Sequence, residues 1–148
     1  MQHIKRSALV NYSAEQMYKL ANDVLSYPQF LPGCVGSRIH EQTATTLTAS
    51  IDVAKVGIRK TFTTQNQMIE NSVIDMKLVE GPFRVLQGGW VFTPLSEESC
   101  RVEFSLDFEF KSKLIEMAFG RIFQELAINM VQAFTKRAKE IYGNRSLH

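Results

Sequence analysis

Apolar and polar residues alternate along most of the middle of the chain. Between 101 and 110 every second residue is apolar, and charged or polar residues lie between them. A period of two also appears over 47–53, 58–62, 74–78 and 86–92. Alternation of this kind is typical of antiparallel strands that have one buried and one solvated face.

A different pattern precedes these strands. The region 3–11 is strand-like, and Ser13 with Gln16 forms a capping box that predicts a short helix over 14–21. Asp23 is a second candidate N-cap, and we expect a brief helical turn that runs to Ser26 before Pro28 ends it.

The last part of the chain has helical spacing. Ser112 is a candidate N-cap, Gly143 suits the position after a helix end, and the apolar pattern runs between them to Tyr142. One long helix is therefore predicted. Gly120 lies inside it, which indicates a bend or close packing there. The apolar stripe consists of Ile115, Phe119, Phe123, Leu126, Met130 and Phe134.

The element order is a strand, two short helices, about six further strands and a long helix. Only the long helix can cover so much apolar sheet. We therefore expect an α+β fold in which a curved antiparallel sheet of six to seven strands grips the C-terminal helix, as a single domain over residues 1–148. This layout favours a cavity between sheet and helix.

The segment 27–34 combines two prolines with the apolar residues Tyr27, Phe30 and Leu31. Such a loop either fills the core or forms the wall of a cavity. Its place after two short helices, opposite the Phe- and Met-rich stripe, favours the mouth of a cavity. Gly88-Gly89, in a later strand, indicates a bulge or a close approach of two backbones.

Composition excludes few classes of function. Hydrophobic residues make up 45% and charged residues 22% of the chain, and the net charge is +2. No signal peptide is visible, and polar residues interrupt the most apolar stretch, 114–134. We therefore expect a cytoplasmic protein, with a peripheral membrane contact as an open alternative.

No catalytic or metal site is predicted. The three histidines are isolated, and the chain has no nucleophile elbow, phosphate-binding loop or zinc-protease motif. Cys34 and Cys100 lie far apart and are interpreted as two buried thiols. We expect neither an enzyme nor a required cofactor.

Basic residues form two groups. Arg38, Lys55, Arg59 and Lys60 lie around a predicted hairpin beside a Thr-rich strand, and they are candidates for contact with RNA phosphates. The second group, near the end of the long helix, is better explained by the helix dipole. RNA phosphates or anionic lipid headgroups are its alternative partners. This second group comprises Lys136, Arg137, Lys139 and Arg145.

Several segments together resemble the START-like superfamily of polyketide cyclases and lipid-transfer proteins, and more narrowly its coenzyme Q-binding branch. The resemblance covers nearly the whole chain and implies the helix-grip fold. It rests on Asp23, Tyr27-Pro28, Phe30-Leu31-Pro32, Cys34, Gly81-Pro82-Phe83, Leu86, Gly88, Trp90, Phe92, the stretch 104–110, the stretch 130–134 and Arg137-Ala138.

A carrier of this branch would hold ubiquinone or another apolar lipid in a continuous apolar cavity. Ten Phe and six Met residues suit such a cavity, although most of them fill the core in an ordinary domain. The candidate lining residues are Tyr27, Phe30, Leu31, Pro32, Met76, Phe83, Trp90, Phe119, Phe123 and Met130.

Three details resemble the family of bacterial ribosome association toxins instead. They are Gly33, where many coenzyme Q-binding members have Trp, the early strand 7–10, and the run 118–121. The resemblance implies binding to the large ribosomal subunit, hindrance of subunit joining, and a small ubiquitin-fold protein as the antitoxin. We favour this function. The alternative is a quinone-binding protein or chaperone that supports respiratory electron transport, and a cyclase-like enzyme ranks last.

Overall fold

The computed structural model describes residues 1–143, so Arg145 and His148 lie outside the described residues. Its strands are β1 (Gln2–Val10), β2 (Cys34–Gln42), β3 (Thr46–Lys55), β4 (Ile58–Ile69), β5 (Val73–Glu80), β6 (Phe83–Ser96) and β7 (Ser99–Phe110). Its helices are α1 (Ala14–Asn22), α2 (Tyr27–Phe30), α3 (Lys113–Ile128) and α4 (Met130–Tyr142).

The seven strands form one antiparallel sheet in the order β1-β7-β6-β5-β4-β3-β2. Each strand from β2 to β7 pairs with its neighbour in sequence, and β1 adds to β7. The chain therefore leaves β1 at one edge of the sheet and returns as β2 at the other. Helices α1 and α2 make this crossing. The predicted α+β fold is confirmed.

The capping box predicted before α1 is present. The Ser13 hydroxyl accepts from the Gln16 amide at 3.1 Å, and the Gln16 side chain accepts from the Ser13 amide at 2.9 Å. The predicted helical turn after Asp23 is present as a 3₁₀ turn that ends at Ser26, Val24–Ser26. The expectation that Pro28 stops the helical conformation was wrong, because the separate helix α2 follows directly. Pro28 lies in the first turn of α2, where proline is tolerated because its missing amide has no helical partner.

The predicted single C-terminal helix is interrupted at Asn129. The Asn129 amide and its side-chain Nδ2 both donate to the Glu125 carbonyl, at 3.1 and 2.9 Å. A side-chain donor that bonds a backbone carbonyl one turn earlier competes with the regular helical bonding. Gly120 does not interrupt α3, and it packs closely against Phe110. Of the two predicted alternatives, a bend or close packing, the structure shows close packing.

The core lies between the concave face of the sheet and α3–α4. Every inward-facing residue of β7 from Val102 to Phe110 is buried, as the alternation predicted. The N-terminal helices close one end, since α1 contacts α4, β6 and β7, and α2 contacts β2. Within residues 1–143, no helix is both long and apolar enough to cross a bilayer.

The predicted count of about six strands after the short helices agrees with β2 to β7, but no bounds were predicted for β2. Its burial pattern does not alternate, and its pairing with β3 shifts register between Cys34 and Gly36 and again between Ile39 and Glu41. These irregularities remove the period of two that marks the other strands.

The paired glycines of β6 allow three strands to approach closely. A Cβ on Gly88 would lie 2.1 Å from the Ser105 carbonyl oxygen, and one on Gly89 would lie 1.9 Å from that of Ile74. Both residues have φ near +150°, a conformation that side chains disfavour. The predicted close approach is confirmed, and the pairing of β6 with its neighbours runs through both glycines without a bulge.

Substitution of Gly89 by Ala should destabilise the protein by about 2–4 kcal/mol, because overpacking and an unfavourable φ add together. Urea unfolding measures the loss. Gly120→Ala is the matched control, since its new Cβ would meet side-chain atoms at 3.4 Å or more, and we expect a change within about 1 kcal/mol. Equal effects of the two substitutions would contradict this account.

Candidate functional site

A small apolar cavity lies between the sheet and the C-terminal helices. Its volume is about 50 Å³. Six of the ten residues predicted from the sequence line it: Tyr27, Leu31, Met76, Trp90, Phe123 and Met130. Segment 27–34 therefore does contribute to the cavity wall, through Tyr27 and Leu31.

The other four predicted residues lie elsewhere. Phe30 packs on Phe134, with 5.0 Å between ring centroids, and the Arg137 guanidinium covers its ring at 5.2 Å. Pro32 is exposed. Phe83 and Phe119 belong to an aromatic cluster beside the cavity, where both rings contact Phe110.

The cavity is small for a lipid. Sites for drug-sized ligands have roughly 300–1,000 Å³, whereas a buried water needs about 10–15 Å³. The described cavity therefore has room for a few waters, and a quinone ring would require side chains to move. Gly33 lies behind the cavity wall, since a Cβ there would lie 3.7 Å from Leu126, which lines the cavity, and 3.9 Å from Val53, which does not.

The cavity wall includes residues that sequence reasoning missed. Leu86, Phe104, Leu106 and Leu126 are apolar, and Thr64 adds a hydroxyl group. The Thr64 hydroxyl donates to Asn66 Oδ1 at 3.0 Å, and both residues are buried. Their spacing along β4 matches that of Phe62, so the alternation of the strand could have identified them as inward-facing.

A polar cluster lies on the outer face of the sheet, centred on Asp52 of β3. Arg38 of β2 donates to both Asp52 carboxylate oxygens, at 2.8 and 3.0 Å. From β4, Arg59 donates to Oδ2 at 3.0 Å and Thr61 to Oδ1 at 2.6 Å. We call Arg38, Asp52, Arg59 and Thr61 the outer-face cluster.

Asp52 is buried although it faces outwards. Its side chain is 3% exposed, whereas those of Arg38 and Arg59 are 50% and 63% exposed. Hydrogen bonds from Arg38, followed by those from Thr61 and Arg59, hold the pKa of Asp52 well below its usual range, despite the opposing effect of burial. One buried anion thus fixes two cations at the surface.

A second polar row continues the outer-face cluster along the same strands. His40 Nε2 lies 2.6 Å from the Ser50 hydroxyl, which in turn lies 2.5 Å from the Thr63 hydroxyl. The threonines of β4 thus stabilise the outer face. Sequence reasoning noted these threonines but did not connect them to Asp52 or His40, because that connection depends on the strand register.

The four predicted RNA-contact residues do not form one patch. Arg38 and Arg59 meet at Asp52, whereas Lys55 pairs with Glu125 of α3 at 3.1 Å. Lys60 is half-buried, and the alternation of β4 places it on the opposite face from Arg59. The hairpin therefore presents two of the four cations together.

The two cysteines are free and buried, which confirms the prediction of two buried thiols. Burial raises the pKa of both Cys34 and Cys100 to about 11, so neither forms a thiolate readily near neutral pH. Among residues 1–143, no group of three or more His, Cys, Asp or Glu side chains could hold a metal ion.

Comparison with known proteins places this arrangement in a family. The profile described as polyketide cyclase/dehydrase and lipid transport matches residues 10–135. The chain belongs to this family. The predicted START-like helix-grip fold is therefore confirmed, and a solved member of the fold, the ZhuI aromatase/cyclase from Streptomyces sp. R1128, superposes with a TM-score of 0.82. That enzyme is 17% identical to this chain, and the match covers 94% of each chain.

Two curated relatives match nearly the whole chain. Ribosome association toxin RatA of Escherichia coli K12 is 68% identical over 145 residues, which cover 98% of this chain and 92% of that protein. Coenzyme Q-binding protein COQ10 homolog B of Xenopus laevis is 30% identical over 95% of this chain and 59% of its own length. The predicted resemblance to both groups is confirmed.

Replacing Asp52 by Asn should lower the free energy of unfolding by about 1–3 kcal/mol at neutral pH, because charge-assisted hydrogen bonds are lost. Since folding lowers the pKa of Asp52, its contribution is fully present above the unfolded pKa of about 4 and is lost as the pH falls below it. The difference between wild type and variant should therefore shrink on acidification.

Urea unfolding at a series of pH values measures this difference. Asp75→Asn is the matched control, because Asp75 is exposed and has no ion pair among residues 1–143. We expect it to change stability by less than about 0.5 kcal/mol. A gap between wild type and Asp52→Asn that stays constant with pH would be inconsistent with the assigned role of Asp52.

Proposed function

We propose that this protein binds the large ribosomal subunit and hinders its joining to the small subunit. The observation that carries the proposal is 68% identity, over 98% of the chain, to a protein named for ribosome association. The small volume of the described cavity, about 50 Å³, also favours a function of the protein surface over the transport of a ligand in the interior.

The outer-face cluster is the surface that we propose for RNA contact. Arg38 donates two hydrogen bonds to Asp52, and Arg59 donates one. Each guanidinium has five N–H groups, so most of them are left for other acceptors. Two arginines share one carboxylate, so the cluster keeps a net positive charge. Guanidinium groups fixed in this way suit bidentate contact with phosphate oxygens.

The remaining parts of the proposal follow the same resemblance. A ribosome-binding role implies a cytoplasmic location, and the resemblance to ribosome association toxins implies a small ubiquitin-fold protein as the antitoxin. The RatA relative is named as a toxin and not as an enzyme, which supports a binding function for this chain.

Replacement of both Arg38 and Arg59 by Gln should weaken binding to purified large subunits at least about tenfold, because two phosphate contacts are lost. Co-sedimentation at several salt concentrations measures it. The slope of log affinity against log salt should also become shallower by about one for each arginine. A second readout is the fraction of joined ribosomes formed when small subunits are added.

Arg101→Gln is the matched control, since Arg101 is an exposed arginine on β7, four strands from β3 in the sheet order. Thermal unfolding of each variant verifies that the fold is retained. If wild type fails to sediment with large subunits, the proposed function is wrong. If wild type binds and the double variant binds equally, the function stands and the outer-face cluster is not its contact surface.

A second candidate function is the binding of ubiquinone or another apolar lipid. It is favoured by the apolar cavity and by 30% identity to a coenzyme Q-binding protein. Thr64 would supply a hydroxyl group inside the cavity. Because the described cavity is small, this function requires side chains around it to move apart when the ligand enters.

Ala127→Val should reduce uptake of ubiquinone severalfold if the cavity binds it, because two added methyl groups would occupy the cavity wall. Overpacking should cost about 1–3 kcal/mol. Native mass spectrometry after incubation with ubiquinone measures uptake, and Ala118→Val on the exposed face of α3 is the control. Absence of any ubiquinone adduct on wild type would eliminate this candidate.

A further inference from the structure

An open groove lies at the opposite edge of the sheet from the outer-face cluster. Its volume is about 810 Å³. One wall is Arg6, Ser7 and Ala8 of β1, and the other wall runs from the α3–α4 junction at Asn129 along α4 to Lys139. We call this site the β1 groove.

The charge of the β1 groove has one sign. Among residues 1–143, its ionisable side chains are Arg6, Lys136 and Lys139, and no carboxylate lines it. Within the described part of the chain none of these three cations has an ion-pair partner, and the Arg6 guanidinium donates only to the neighbouring Lys5 carbonyl, at 2.9 Å. The nearby Arg137 differs, because it is paired with Glu140 at 3.4 Å and with Gln29 at 3.1 Å.

The edge of the sheet in this groove is unusually regular. β1 pairs with β7 over nine consecutive residues without a register shift, from Gln2 to Val10. The other edge strand, β2, carries two register shifts, which is a common device for preventing further strand addition. In residues 1–143, no other strand pairs with the second edge of β1. Its backbone groups therefore remain a template for one more strand.

A second copy of this chain is a poor occupant for that edge. Antiparallel pairing of two β1 strands about their centre would place Arg6 opposite Arg6 and bring Lys5 close to its own copy. Like charges that lie directly opposite each other destabilise a strand pair. An occupant with carboxylates would instead satisfy all three cations of the groove.

We infer that the β1 groove binds an extended acidic segment of a partner protein, which adds as a strand to the free edge of β1. Alternate side chains of such a segment point to the same side, so carboxylates at every second residue would face Arg6, Lys136 and Lys139. Backbone hydrogen bonds would supply affinity, and the cations would supply selectivity for acidic sequences.

The floor of the groove favours a peptide over RNA. Ala8, Ile128 and Val131 supply apolar surface between the cations, which suits the methylene groups of glutamate side chains on the same side of the segment. RNA phosphates would use the cations alone and would leave the edge of β1 unpaired. The inference does not depend on the proposed function, because it concerns a different face of the molecule.

The test uses an acetylated peptide of alternating Glu and Val residues, of the same length as β1, and a matched peptide with Lys in place of Glu. NMR titration of the full chain measures affinity, and amide hydrogen exchange measures protection along β1. We expect the acidic peptide to bind and to slow exchange of β1 amides, and the Lys peptide not to bind.

Lys136→Glu with Lys139→Glu should weaken binding of the acidic peptide at least about tenfold. Lys111→Glu with Lys113→Glu is the control with the same change of charge, and both of its residues are exposed outside the groove. Failure of the acidic peptide to bind at millimolar concentration overturns the inference. Binding without protection of β1, or a response of the groove to an RNA duplex but not to the peptide, also overturns it.

Discussion

The packing of Phe123 against the sheet is the contact on which the rest of the molecule depends. Its ring meets five other phenylalanine rings, with centroid separations from 4.7 to 6.1 Å. Four of these rings come from β4, β6 and β7, so one helical residue joins three strands. Edge-to-face packing of this kind adds to the burial energy of each ring. The partners are Phe62, Phe83, Phe108, Phe110 and Phe119.

This aromatic contact also determines what the interior can hold. In a helix-grip fold the space between sheet and helix can serve as a ligand site, but here phenylalanine rings occupy much of it. Chemistry that depends on charge is consequently found on the outside of the sheet. Asp52 organises the charged groups on this outer face, because its buried carboxylate holds two arginines in place at the surface.

Local sequence patterns predicted the fold well. The alternation in β7 and the capping box at Ser13 each depend on residues close together in the chain, and both are present in the structure. Patterns failed where long-range pairing or a single side chain decides the outcome. The bulged β2 shows no alternation, and the interruption at Asn129 depends on one side-chain hydrogen bond. The outer-face cluster required the register of three strands, so sequence found its arginines but missed Asp52.

The interruption at Asn129 has a consequence for communication across the molecule. Ala127 and Met130 line the internal cavity, while Ile128, Asn129 and Val131 line the β1 groove. The same helical turn thus forms one wall of the internal cavity and one wall of the β1 groove. Any ligand that displaced this wall from one side would change the free energy of binding on the other. By thermodynamic reciprocity, occupancy of the second space would alter affinity in the first by the same factor.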